Sequence, residues 1–233
     1  MKKSTRSYQA ELIDLGPDFY TPQEYQECLH QLARIGRFLG GDRASKNAFS
    51  KLKDLKSILD VGCGGGQFTL KLAKQFPHAQ VLGIDISSEA IEFANQRLAE
   101  TPLKNVSFVV PNSIHLNYPN NNFDVITTTL VCHHMNDENL VEFLKKSYQI
   151  AKKRIIINDL HRHWLAYRGF ALMAKPLFPN RLISQDGLLS IQRGFKKKEW
   201  QNYLTLAGIP LEKCSITWHW AFRWIVTIDS SKK

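Results

Sequence analysis

The sequence has no run of about 18 apolar residues, the length that a membrane-spanning helix needs, so no transmembrane helix is expected. The first nine residues, Met1-Lys2-Lys3-Ser4-Thr5-Arg6-Ser7-Tyr8-Gln9, carry charge with no apolar stretch behind it. No secretory signal is expected there. Cysteine is sparse: Cys28, Cys63, Cys132 and Cys214 stand far apart, in no C-x-x-C pair and no His-rich ligand spacing. Reduced cytosolic thiols fit this better than disulfides or a zinc site, and no metal is expected. Internal repeats and low-complexity tracts are absent too, and 233 residues suit one sizeable domain.

Acidic residues are scarce in one window. Residues 145–200 hold thirteen Lys or Arg against three acids, while the rest of the chain balances at eighteen against eighteen. A local excess of +10 predicts a local anionic partner, and an anionic membrane surface touched peripherally is the first expectation. Nucleic acid is the weaker one.

Glycine, by contrast, is concentrated. Ile58, Leu59 and Val61 form a short apolar run, stopped by Gly62, Gly64, Gly65 and Gly66. Phe68, Leu70, Leu72, Ala73 and Phe76 then recur with helical spacing. The pattern is a buried strand, a tight turn and a helix, with free N–H groups at the helix start. The dinucleotide fingerprint G-x-G-x-x-G fails at its third glycine, because position 67 is Gln67. Asp60 instead precedes the turn, giving D-x-G-x-G-x-G over Asp60–Gly66. Val81–Ile84 reads as a second strand ending in Asp85, at the spacing where doubly wound folds place an acid on ribose hydroxyls. A carboxylate only accepts, so it can take both ribose donors. Ser87 is the better cap for the helix that follows.

The Asp60–Gly66 run resembles motif I of class I S-adenosylmethionine-dependent methyltransferases. The resemblance implies S-adenosylmethionine as cofactor and S-adenosylhomocysteine as product. It implies contacts from Asp60, Gly62, Cys63, Gly64, Gly66, Asp85 and Ile86, with Asn112, Ser113 and Leu130 at later strand ends. Asn112 stands where the family more often has Asp reading the adenine amine. Further stretches resemble small-molecule methyltransferases associated with bacterial type III polyketide synthases. These are Leu32–Gly41, Asn158-Asp159-Leu160 and Asp186-Gly187-Leu188-Leu189-Ser190. Similarity to ubiquinone and menaquinone methyltransferases is looser. The resemblance implies O- or C-methylation of a small lipophilic, phenolic or polyketide-like acceptor.

The remaining chain alternates strand and helix. Strands are expected at Val106–Val110, Phe123–Val131 and Arg154–Leu160, and helices at Glu89–Leu98 and Asp137–Ala151. Cys214–Trp220 and Phe222–Ile228, joined through Ala221, require a hairpin. The fold class is therefore α/β: a Rossmann-like doubly wound sheet of seven strands with a terminal antiparallel hairpin. Residues 1–53 form an N-terminal arm and helical cap, with residues 1–18 expected to be loose, and residues 54–233 the catalytic domain. Thr21, Pro22 and Glu24 mark a capped helix start, and a second short helix is expected over 43–53. Residues 161–195, where aromatics interleave with Arg and Lys, are expected to be a lid over the acceptor.

Strand C-termini are where open α/β sheets bind ligands, and they carry the candidate bases: His133 and His134 after the fourth strand, His161 after the fifth. Asp159, Arg162 and Trp164 are candidate acceptor contacts. Asn/Asp-Pro-Pro-Tyr, common in enzymes methylating exocyclic amines of bases, is missing at the fourth strand end. A methyltransferase-like fold that binds without turnover, and an RNA methyltransferase, are the alternatives.

Overall fold

Ile58 and Leu59 in β1 (Ser57–Val61), and Ile155, Ile156 and Ile157 in β5 (Ala151–Leu160), are fully buried. Such unbroken apolar runs are what a strand covered on both faces requires. The computed structural model describes residues 5–50, 52–113 and 115–231. These two strands join β2 (Gln80–Ile84), β3 (Val106–Val109), β4 (Phe123–Thr129), β6 (Cys214–His219) and β7 (Arg223–Asp229) in one sheet. Its order is β3-β2-β1-β4-β5-β7-β6. Strands β1 to β5 are parallel, and β7 runs antiparallel to both β5 and β6. The expected fold class is present, terminal hairpin included. The chain winds outward through β2 and β3, then returns beside β1 as β4. That reversal leaves a crevice at the strand C-termini.

Successive strand residues feed opposite layers. Ile58, Val125 and Ile156 pack with Phe49 of α2 (Gly41–Phe49) and Leu72 of α3 (Gln67–Gln75). Leu59, Ile126, Ile155 and Ile157 pack with Leu140 and Leu144 of α5 (Asp137–Ile150) and Trp200 of α9 (Lys197–Leu206). A third cluster joins Tyr25, Cys28 and Leu29 of α1 (Pro22–Phe38) to Ala90 and Phe93 of α4 (Ser88–Glu100). The capping box at α1 is closed: Glu24 N–H donates to Thr21 Oγ1 at 3.1 Å, and Thr21 N–H to Glu24 Oε2 at 2.8 Å. The second helix ends at Phe49, earlier than expected. β5 begins at Ala151, earlier than Arg154, because Ala151 pairs with Phe123 of β4 and Lys153 O accepts from Ser230 N–H at 2.9 Å.

Two expectations about the flanking segments need correction. The N-terminal arm is not loose where it is described; residues 1–4 lie outside the described residues. Arg6 is buried, and its guanidinium donates to the backbone oxygens of Arg193 (2.8 Å), His133 (3.0 Å) and Met135 (2.6 Å). Glu11 is 2% exposed. The segment 161–195 contains α6 (Trp164–Leu177), α7 (Arg181–Ser184) and α8 (Asp186–Arg193). In α6 an apolar face with Leu165, Leu172, Met173 and Leu177 points to solvent rather than toward the strand ends.

Candidate functional site

The turn after β1 is built as its glycines require. Gly62, Gly64 and Gly66 all have positive φ, at +68°, +50° and +71°. At Gly62 a Cβ would also lie 2.3 Å from a methyl of Val131, so only glycine fits. The N–H groups of Gly62 and Cys63 donate to Ile84 O at 2.8 and 3.0 Å, which pins the turn against the end of β2. Asp85 stands at that end. Its carboxylate accepts from Gly64 N–H at 2.8 Å and Ser87 N–H at 3.0 Å. A carboxylate offers about four lone-pair sites, so both oxygens keep capacity for a ligand. Burial raises the Asp85 pKa against those backbone donors. Asp60 is 2% exposed and accepts from Thr69 Oγ1 at 2.6 Å; burial pushes its pKa up to about 7. Ser87 caps α4, accepting from Ala90 N–H at 3.1 Å, so Asp85 is not the cap.

A cavity of about 770 Å³ opens above this turn. Asp60, Gly62, Cys63, Gly64, Asp85, Ile86, Ser113, Leu130 and His134 line it. Gly66 does not; it packs beneath, against Phe108 and Ala94. Asn112 lines an adjoining pocket of about 230 Å³ together with Ser113. Leu130 holds φ +60°, a strained conformation for a branched side chain, where the chain leaves β4. The opposite wall was not foreseen. It comes from the N-terminal segment and α1: Ile13, Asp14, Pro17, Tyr20, Tyr25 and Leu29. Among the described residues, none of 161–195 lines this cavity, whereas the lid was expected there.

The N-terminal wall carries a polar cluster. His133 is 2% exposed, and its Nδ1 lies 2.7 Å from Asp159 Oδ1. His134 places Nδ1 2.6 Å from Asp14 Oδ1. Both outer nitrogens face Glu11: His133 Nε2 at 3.8 Å and His134 Nε2 at 4.0 Å. Burial pushes the Glu11 carboxyl up to about 7. Asp14 is the reverse case: burial opposes ionisation, but His134 and Arg193 hold its pKa below the usual range. Asp159 is likewise held low by His133 against its burial. Arg193 ties the cluster together, donating to the oxygens of His133 (2.9 Å), His134 (2.7 Å) and Gln9 (3.1 Å), and to Asp14. Only tertiary contact joins these residues, so no local pattern pointed to Glu11, Asp14 or Arg193.

Other candidates lie elsewhere. His161 packs on Trp224 with ring centroids 4.8 Å apart, and burial, reinforced by His163 and Arg162, lowers its pKa to about 4. Arg162 is buried and donates to Gly194 O at 2.6 Å and Glu199 at 2.5 Å. Trp164 is about half exposed on α6. The basic window is partly neutralised from outside: Arg154 pairs with Asp229, Arg181 with Glu24 and Arg193 with Asp14. Among the described residues, no helix is long and apolar enough to cross a membrane.

A family model described as "Methyltransferase domain" matches residues 52–208. The chain is 32% identical over 98 residues to a demethylmenaquinone methyltransferase of Geobacillus sp. (strain WCH70), covering 42% of this chain and 41% of that protein. It is 32% identical over 128 residues to the enzyme of that name from Lactococcus lactis subsp. lactis (strain IL1403), covering 53% and 50%. The aligned parts thus span half or less of these curated relatives. Among solved structures, a SAM-dependent methyltransferase from Aquifex aeolicus superposes with a TM-score of 0.66 at 20% identity, covering 90% of this chain and 98% of that one. The plantazolicin methyltransferase BpumL in complex with SAH gives 0.67 at 20% identity, covering 93% and 91%. At such identity these two likenesses concern the fold.

Proposed function

The chain belongs to the methyltransferase domain family, and from that premise we propose that it transfers the methyl group of S-adenosylmethionine to a small lipophilic acceptor. The observation that carries the reading is the single cavity joining the glycine turn and Asp85 to the wall that holds His134. The turn fits the cofactor. A Cβ at Gly64 would meet only Leu29, at 3.7 Å, so a side chain there would fill cavity space. Asp85 keeps lone pairs for two ribose hydroxyls, and Asn112 and Ser113 flank the place for adenine.

The bound cofactor supplies an electrophilic methyl on a positively charged sulfur. The chain's residues hold, align and shield. Ile13, Leu29, Leu32, Leu116, Met135 and Phe143 give the acceptor an apolar enclosure. This favours a phenolic, quinol-like or polyketide-like acceptor, methylated on oxygen or carbon, and agrees with the names of the curated relatives. The acceptor's proton is lost at the Glu11–Asp14–His133–His134 end. The test is incubation with methyl-labelled cofactor and lipophilic extracts. Label is expected in the organic phase; none from any phenolic, quinol or polyketide extract overturns the acceptor class.

A further inference from the structure

The two histidines meet Glu11 at distances that fit no hydrogen bond. His133 Nε2 lies 3.8 Å from Glu11 Oε1, and His134 Nε2 lies 4.0 Å from Glu11 Oε2. Glu11 is 2% exposed, and its Oε1 has no hydrogen-bond partner among the described residues. Its Oε2 accepts from Ser190 Oγ, at 2.7 Å. Arg193 Nε is 3.7 Å from Oε1, but that N–H is spent on His133 O at 2.9 Å. A buried carboxylate oxygen without a donor is costly, so something is expected to meet it.

The imidazoles are prepared for that role. Each Nδ1 is held by a carboxylate, Asp159 for His133 and Asp14 for His134. A carboxylate on Nδ1 fixes the proton there and leaves Nε2 as a lone pair, the arrangement that orients histidines ligating metals. One ring nitrogen from each histidine and a Glu11 oxygen lie within 4.8 Å of one another. Ligands about 2.0–2.2 Å from one ion are themselves separated by roughly 3–4 Å, so a small closure completes the set. Charge agrees. Glu11, Asp14 and Asp159 surround the two imidazoles, against the guanidiniums of Arg6 and Arg193.

We infer that Glu11, His133 and His134 form a site for a divalent cation of the zinc or iron(II) class at the acceptor end of the cavity. Two imidazoles and one carboxylate suit these ions better than magnesium or calcium. The Glu11 ligand arrives from the far end of the sequence, which is why no metal spacing was legible there. Its role rests on the proposed methyl transfer: Glu11 and His133 lie behind the cavity wall, and an acceptor hydroxyl would reach the ion past His134, which lines the cavity. Coordination releases the hydroxyl proton to solvent. The oxygen's electron pair then forms the new O–CH₃ bond, while the pair of the breaking S–CH₃ bond stays on sulfur.

The test is titration of the chelator-treated full-length protein with Co²⁺, followed by visible absorption, and with Zn²⁺ by calorimetry. One equivalent should bind with an imidazole-type cobalt spectrum. Glu11→Gln should abolish it, and Asp14→Asn, which weakens the contact that orients His134, should weaken it about 10- to 100-fold. Circular dichroism checks that each variant is folded. No stoichiometric binding by the wild type, or an unchanged affinity in folded Glu11→Gln, overturns the site. Calorimetry with S-adenosylhomocysteine on the same samples separates the two readings. Cofactor binding without metal binding sinks only the metal site, and the opposite result sinks the methyltransferase reading.

Discussion

At the scale of single residues, Asp85 and Asp60 do different work. Asp85 organises the turn through two backbone donors and faces the cavity. Replacing it with Ala removes hydrogen bonds to a charged acceptor, worth roughly 1.5–3 kcal/mol, so S-adenosylhomocysteine should bind ten- to hundredfold more weakly. An unchanged dissociation constant in a folded variant would reject the ribose role. Asp60 is buried with its pKa raised from 3.8 to about 7. A carboxyl raised in the folded state stabilises fully below its unfolded pKa, and that contribution is lost as pH rises through the folded value. Wild type should therefore lose more thermal stability between pH 5 and pH 8 than Asp60→Asn does. Equal losses would show that Asp60 does not titrate in this window. Both aspartates were legible in the sequence because a turn and a strand end fix them locally. Glu11 and Asp14 were not: their partners lie at His133 and His134, and only the fold brings them together.

At the scale of elements, the strands were legible because buried apolar runs declare themselves, and the errors lay at charged strand ends such as Ala151–Arg154. The wall of the site was misread for a related reason. Residues 161–195 are rich in aromatics, yet α6 turns Leu172 and Met173 to solvent. The arm at 12–20, poor in pattern, forms two short 3₁₀ turns, and Ile13, Asp14, Gly16, Pro17 and Tyr20 border the cavity. Its backbone is tied by Asp186, which accepts from Leu12 and Ile13 N–H at 2.9 and 3.1 Å. A segment that walls a ligand site gains protection when the ligand binds. Hydrogen exchange should slow in residues 12–20 on addition of S-adenosylhomocysteine and stay unchanged in α6. Protection confined to α6 would return the lid to 161–195.

At the scale of the molecule, function follows from where the sheet reverses. The order β3-β2-β1-β4-β5-β7-β6 puts the glycine turn after β1 beside the end of β4, and the crevice between them becomes the cavity. Alternation made the parallel, doubly wound sheet legible; the order of its strands was not read. The charge surplus reads differently once folded, because arginines of the basic window are spent on Asp14, Glu24 and Asp229. The central claim is that this crevice takes an adenosyl sulfonium cofactor and not a dinucleotide. Isothermal calorimetry of the full-length protein against S-adenosylmethionine, S-adenosylhomocysteine and NAD tests it most directly. The account predicts one-to-one binding of the first two and none of NAD; tight NAD binding with neither adenosyl compound bound would contradict it.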